Sequence, residues 1–115
     1  VCIKADSSDE TMASSDCTTF IKSTRLVEDR WSASSGLPSL DTENGGADNN
    51  SFASFTESGT NWVANWTRNL NTGDASNDVI LTENSVYRVL FAFGNIDANT
   101  SVIQKHQETN RSSVN

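Results

Sequence analysis

The sequence predicts an all-β protein, an antiparallel β-sandwich around one core. Three observations carry this. Helical periodicity is nearly absent, short stretches rich in Thr, Val, Ile, Phe and Trp recur along the chain, and polar turn-forming segments separate them. A chain of 115 residues has room for one such domain. No apolar run approaches the roughly 20 residues of a membrane-spanning helix, so no membrane insertion is expected. Fifteen acidic residues against eight basic ones give a net charge of -7, which would repel phosphates and excludes a basic nucleic-acid binder. Three Trp, five Phe and one Tyr exclude a wholly disordered chain.

The elements follow in order. The start, Val1-Cys2-Ile3, carries no leader and reads as a processed chain or a piece of a longer one, with Val1 to Ala5 the end of a strand. Cys17 to Val27 (CTTFIKSTRLV) is one strand or a hairpin. Ser32 to Asn50 carries Gly36, Pro38, Gly45 and Gly46 among small polar residues and reads as loop. Phe52 to Thr56 is a short strand. Asn61 to Arg68 (NWVANWTR) alternates, with Trp62, Ala64 and Trp66 on one face and Val63, Asn65 and Thr67 on the other. Trp31, Trp62 and Trp66 are expected in the core. Asn71 to Asp74 is a turn. Val86 to Phe93 (VYRVLFAF) is apolar on both faces and is predicted to be a buried central strand. Ser101 to Lys105 is a weaker strand, and the tail from Glu108 is expected to fray.

Two signals point to an extracellular setting. Cys2 and Cys17 form an even pair closing a short loop, which suits a disulfide in an oxidising space, with buried thiols as the alternative reading. Four Asn-x-Ser/Thr triplets begin at Asn49, Asn65, Asn99 and Asn110 and are candidate glycosylation sites. On strand alternation, Asn65 falls opposite the two tryptophans.

Enzyme constellations are missing from the sequence. A single His and no Gly-x-Ser-x-Gly elbow argue against a serine hydrolase, and two cysteines outside a CxxC spacing argue against a closed zinc site. Asp6, Asp9, Glu10 and Asp16 read as a solvated acidic loop, with calcium ligation as the alternative reading, although nothing matches the spacing of a helix-loop-helix calcium site. Met12 and His106 are the sole Met and His. Taken singly, Met fills core gaps and a lone His is a surface side chain. Together, a thioether and an imidazole are a standard axial pair for haem iron.

Four segments resemble the DOMON family, extracellular β-sandwich domains of immunoglobulin-like form that include the haem-binding cytochrome domain of cellobiose dehydrogenase. Thr11-Met12-Ala13-Ser14-Ser15-Asp16 resembles the family's Met-to-Asp turn. Glu28-Asp29-Arg30-Trp31-Ser32 and Leu37-Pro38-Ser39-Leu40-Asp41 are similar to its Asp-Arg-aromatic-Ser and Pro-x-x-Asp stretches. Trp66 to Asp74 (WTRNLNTGD) matches its aromatic-x-Arg-x-Leu-x-Thr-Gly-Asp segment most specifically. Phe91 to Gly94, Val102 to His106 and Asn110-Arg111 resemble its terminal strand and His region.

The resemblance implies haem b held between Met12 and His106, and one-electron transfer with a redox partner protein or a membrane cytochrome b in the same polypeptide. The competing implication is a haem-free binding or structural module for a sugar or a protein subunit, or an accessory domain of a larger enzyme. Family members carry strands before the Val1-to-Ala5 segment; these are lacking here, so a longer chain or another subunit is expected to supply them. A Cys2–Cys17 bond would close the Met12 loop. Arg68 is expected to form a structural pair with Asp41 or Asp74, because a buried guanidinium needs a carboxylate.

Overall fold

A computed structural model describes residues 1–5, 11–95 and 111–114. Its strands are β1 (Cys2–Ala5), β2 (Ser15–Ile21), β3 (Leu26–Ser32), β4 (Ser39–Leu40), β5 (Ser51–Ser58), β6 (Asn61–Thr67), β7 (Tyr87–Ala92) and β8 (Arg111–Val114). All pairings are antiparallel. A six-stranded sheet runs β4-β3-β2-β1-β7-β8, and β5-β6 form a second, two-stranded layer. This is the expected all-β sandwich. Among the described residues no helix is long and apolar enough to cross a membrane.

The β-prone segment from Cys17 to Val27 resolves into a hairpin, β2-β3, whose turn places Arg25 at φ 55°. β5 and β6 are joined by Gly59 and Thr60, with Gly59 at φ 60° as the first position of a type II′ turn requires. The 32–50 loop holds two short elements, β4 and a 3-10 turn over Asp41–Asn44. The tail does not fray over residues 111–114: β8 pairs with β7 from Val89 to Ala92. The 101–105 strand lies outside the described residues.

Strand alternation gives the large sheet two distinct faces. On one, Asp16, Thr18 and Phe20 of β2 stand beside Val27, Asp29 and Trp31 of β3. The β5-β6 hairpin packs here: Phe20 lies 6.4 Å from Phe52, 5.6 Å from Phe55 and 5.8 Å from Trp62, centroid to centroid. Such ring pairs add about 0.5–1.5 kcal/mol each beyond area burial. The opposite face carries Cys2, Cys17 and Leu90, aligned by the registers Cys2↔Cys17 and Cys2↔Leu90. Cys2 and Cys17 form a disulfide, and with Leu90 they make the buried cluster on which Met12 packs.

Two core expectations are corrected. Trp62 is 45% exposed and Trp31 and Trp66 are only half-buried, because the two-stranded layer is too narrow to enclose them. β7 lies between β1 and β8, but Leu90 is its one fully buried residue, and Phe91 and Phe93 are 43% and 66% exposed. Among the described residues the fully buried apolar side chains are Cys2, Cys17, Val27 and Leu90, while Asp16, Thr18, Asp29, Asp41, Asn77 and Asp78 are equally buried. With so little apolar core, the crosslink matters. The disulfide spans 15 residues, for which loop-closure entropy gives about 3 kcal/mol. Denaturant titration of the Cys2→Ser/Cys17→Ser protein should show a loss of that order.

Candidate functional site

The strongest concentration of chemistry lies on the hairpin-covered face, where five aspartates from four segments meet. β2 supplies Asp16 and β3 supplies Asp29, near each other because Thr18↔Asp29 and Asp16↔Trp31 are register partners. Asp41 starts the 3-10 turn directly after β4. Asp74 and Asp78 come from the loop following β6. Carboxylate oxygens of Asp16, Asp29 and Asp78 lie within 4.8 Å of one another, as do those of Asp41, Asp74 and Asp78.

Arg68 is the paired cation. Its Nη1 donates to Asp16 Oδ2 at 2.5 Å and its Nη2 to the Val79 carbonyl at 3.0 Å, with the two side chains 9% and 2% exposed. The expected pairing with Asp41 or Asp74 is therefore corrected. Arg68 follows β6 and crosses onto β2, and Asp16 was hidden because its nearest acidic neighbours in sequence marked it as loop. The Val79 amide also donates to Asp16 Oδ2, at 3.0 Å.

Backbone and side-chain amides order the remaining acids. The Asn49 amide donates to Asp29 Oδ2 at 2.7 Å. The Asn49 Nδ2 donates to Asp78 Oδ2 at 3.2 Å, and the Thr72 hydroxyl donates to the same oxygen. Asp74 receives the Asn77 amide on Oδ1 and the Ala47 amide on Oδ2, both at 3.3 Å. Gly73, at φ 87°, lets the Thr-Gly-Asp turn bring Thr72 and Asp74 to the same centre. Gly46 is required by contact, since a Cβ there would sit 2.2 Å from Asp74 Oδ2 and 2.7 Å from Asn77 Nδ2.

Several buried carboxylate oxygens nonetheless lack a hydrogen-bond partner: both of Asp41, Oδ1 of Asp29 and Oδ1 of Asp78. Burial, followed by the charges of Asp29 and Asp78, pushes the Asp41 carboxyl up to about 7. Burial likewise raises Asp29 to about 6 against the opposing Asn49 amide, and raises Asp16 against the Val79 amide and Arg68.

On the other face, Met12 is half-buried on the disulfide cluster. Lys4, itself 5% exposed, donates from Nζ to the Thr11 carbonyl at 3.2 Å and the Ala13 carbonyl at 3.0 Å, bracketing Met12 in its turn. His106, Asn99, Asn110 and the acids Asp6, Asp9 and Glu10 lie outside the described residues. Of the remaining triplets, Asn65 is exposed on β6 with Nδ2 on Ser54 Oγ at 2.9 Å, whereas the Asn49 Nδ2 is engaged within the acidic centre.

The other recognised segments converge on this architecture. Arg30 donates from Nε and Nη2 to Glu28 Oε2 and from Nη1 to the Pro38 carbonyl at 2.6 Å, binding the β3 segment to the one that delivers Asp41. Asp78 was missed by sequence reasoning, an Asp four residues past the Thr-Gly-Asp turn being the available signal, and Asn49 was read only as a glycosylation candidate, not as a donor to Asp29 and Asp78.

The all-β sandwich carries a crosslinked sheet and loops tied together by aspartates. A family model for the DOMON domain matches residues 5–94, and the chain belongs to the DOMON domain family. Membership suggests a ligand-binding or extracellular module, and the disulfide is consistent with an oxidising space. No curated protein and no solved structure matches the chain.

Two outcomes are expected at this centre. Arg68→Ala strands Asp16 as a buried unpaired charge and should lower unfolding stability by about 3–5 kcal/mol in denaturant titration. Asp41 and Asp29 bind protons more tightly folded than unfolded, so in chelator-containing buffer Tm should fall as pH rises from about 4 to about 7. Asp41→Asn should flatten most of that slope.

Proposed function

We propose that this DOMON domain is an extracellular haem b-binding electron-transfer module with Met12 and His106 as axial ligands. The observation that carries the reading is the setting of Met12. Its turn is tied by Lys4 on both sides, and its side chain rests on the Cys2–Cys17 disulfide and Leu90. A thioether presented from a crosslinked platform is pre-ordered for a soft ligand role, with little conformational entropy left to lose. Arg111, five positions after His106, begins β8, whose neighbour β7 contributes Leu90 to the same cluster.

Such a group supplies reversible one-electron transfer, and a Met ligand favours a higher reduction potential. Met12 and His106 would hold the iron, and the apolar cluster under Met12 would help keep water away from it. The partner is a redox protein or a membrane cytochrome b of the same polypeptide. The net charge of -7 favours docking to a basic surface with on-rates that fall as salt rises.

A haem-free reading as a sugar- or subunit-binding module is favoured by a different observation, the exposed Phe52, Trp62 and Val63 of the β5-β6 layer. Absorption spectroscopy of protein from its native source separates the two. The haem reading expects a Soret band with sharp reduced-state bands of six-coordinate low-spin iron, and Met12→Ala and His106→Ala should each change the spin state or lose the pigment. A colourless protein that takes up no added haem overturns it.

A further inference from the structure

The geometry points to a calcium site at the aspartate centre, formed by Asp41, Asp74 and Asp78, on the face of the sheet opposite Met12. Asp41 is the decisive residue. It is 0% exposed, neither carboxylate oxygen has a hydrogen-bond partner, and an oxygen of it lies within 4.8 Å of oxygens of Asp74 and Asp78. A fully buried carboxylate with both oxygens unsatisfied costs several kcal/mol unless it is protonated or bound to a cation. Asp78, 4% exposed, leaves its Oδ1 unpartnered as well.

The spacing suits one ion. Calcium takes oxygen ligands at about 2.4 Å, so two ligands of the same ion stand at most about 4.8 Å apart. The charge balance points the same way, because Arg68 offsets one of five clustered carboxylates and is already committed to Asp16. The donor set is all oxygen, with no imidazole or thiolate among these aspartates, which selects a hard cation over zinc or copper. Calcium fits better than magnesium. Magnesium demands near-octahedral geometry and holds its waters through one or two carboxylates, whereas this centre offers several carboxylates on irregular loops. A cleft of about 360 Å³ lined by Gly45–Ala47 and Thr72–Asp74 opens beside Asp74 and gives an ion a route in. Bound there, calcium would join the loop after β4 and the loop after β6 at a single point.

The test uses the full chain stripped with chelator and titrated with calcium chloride by calorimetry, alongside thermal unfolding. One calcium per chain and a saturable rise in Tm are expected, with a smaller rise for magnesium at equal concentration. Asp41→Asn should abolish the calcium response while leaving Tm in chelator unchanged or raised, since it removes a repelling charge; Asp48→Asn, at an exposed position, should keep the full response. Should Asp41→Asn fail to fold, Asp78→Asn is the second variant, with the same expected loss. No heat and no Tm shift up to about 10 mM calcium, above the weakest range for extracellular modules, overturns the site. A full response retained in the variant also overturns it. Neither outcome bears on the haem reading, whose spectrum is read separately.

Discussion

Charge burial governs this domain. Asp16 and Arg68 pair between β2 and the end of β6, and around that pair Asp29, Asp41, Asp74 and Asp78 gather the loops that have no regular structure of their own. Backbone amides of Ala47, Asn49, Asn77 and Val79 all end on these carboxylates. The 32–50 and 68–82 segments are therefore ordered by acceptors rather than by apolar side chains. Buried acceptors bind amides strongly only while their own charge is balanced. The consequence is a fold whose loops and whose charge balance cannot be separated.

The two faces of the large sheet divide the physical work. On the hairpin side, ring contacts from Phe20 close the sandwich at one end and the aspartate centre closes it at the other. On the far side, the disulfide, Leu90 and the Lys4-tied turn hold Met12. β2 serves both, because consecutive residues Asp16 and Cys17 point to opposite faces. A change in this strand therefore reaches two chemistries at once, and a one-residue slip of its register would exchange a carboxylate for a disulfide sulfur.

Most of the architecture was legible in the chain. Alternation in Asn61 to Arg68, the β-rich hairpin segment and the spaced turn residues fix an all-β layout without any knowledge of contacts. The family segments were legible too, and three of the four turn out to deliver a carboxylate or a clamp: Asp16 from the Met-to-Asp turn, Asp29 and Arg30 from the β3 segment with Asp41 after Pro38, and Arg68, Thr72 and Asp74 from the most specific segment. What they do together was not legible. Asp41 and Asp74 were plausible partners for Arg68 on chemistry alone, and nothing local excluded them.

Strand content, the cysteine pair and the identity of the charged residues belong to the sequence itself, since each depends on neighbours a few positions away or on residue type. The partner of Arg68, the exposure of Trp62 and Phe93, and the meeting of five aspartates belong to the tertiary structure. Pairing across 52 residues, as between Arg68 and Asp16, is decided by strand register and sheet order, and burial is decided by how much of one layer the other can cover. Neither quantity is encoded in any short stretch of chain.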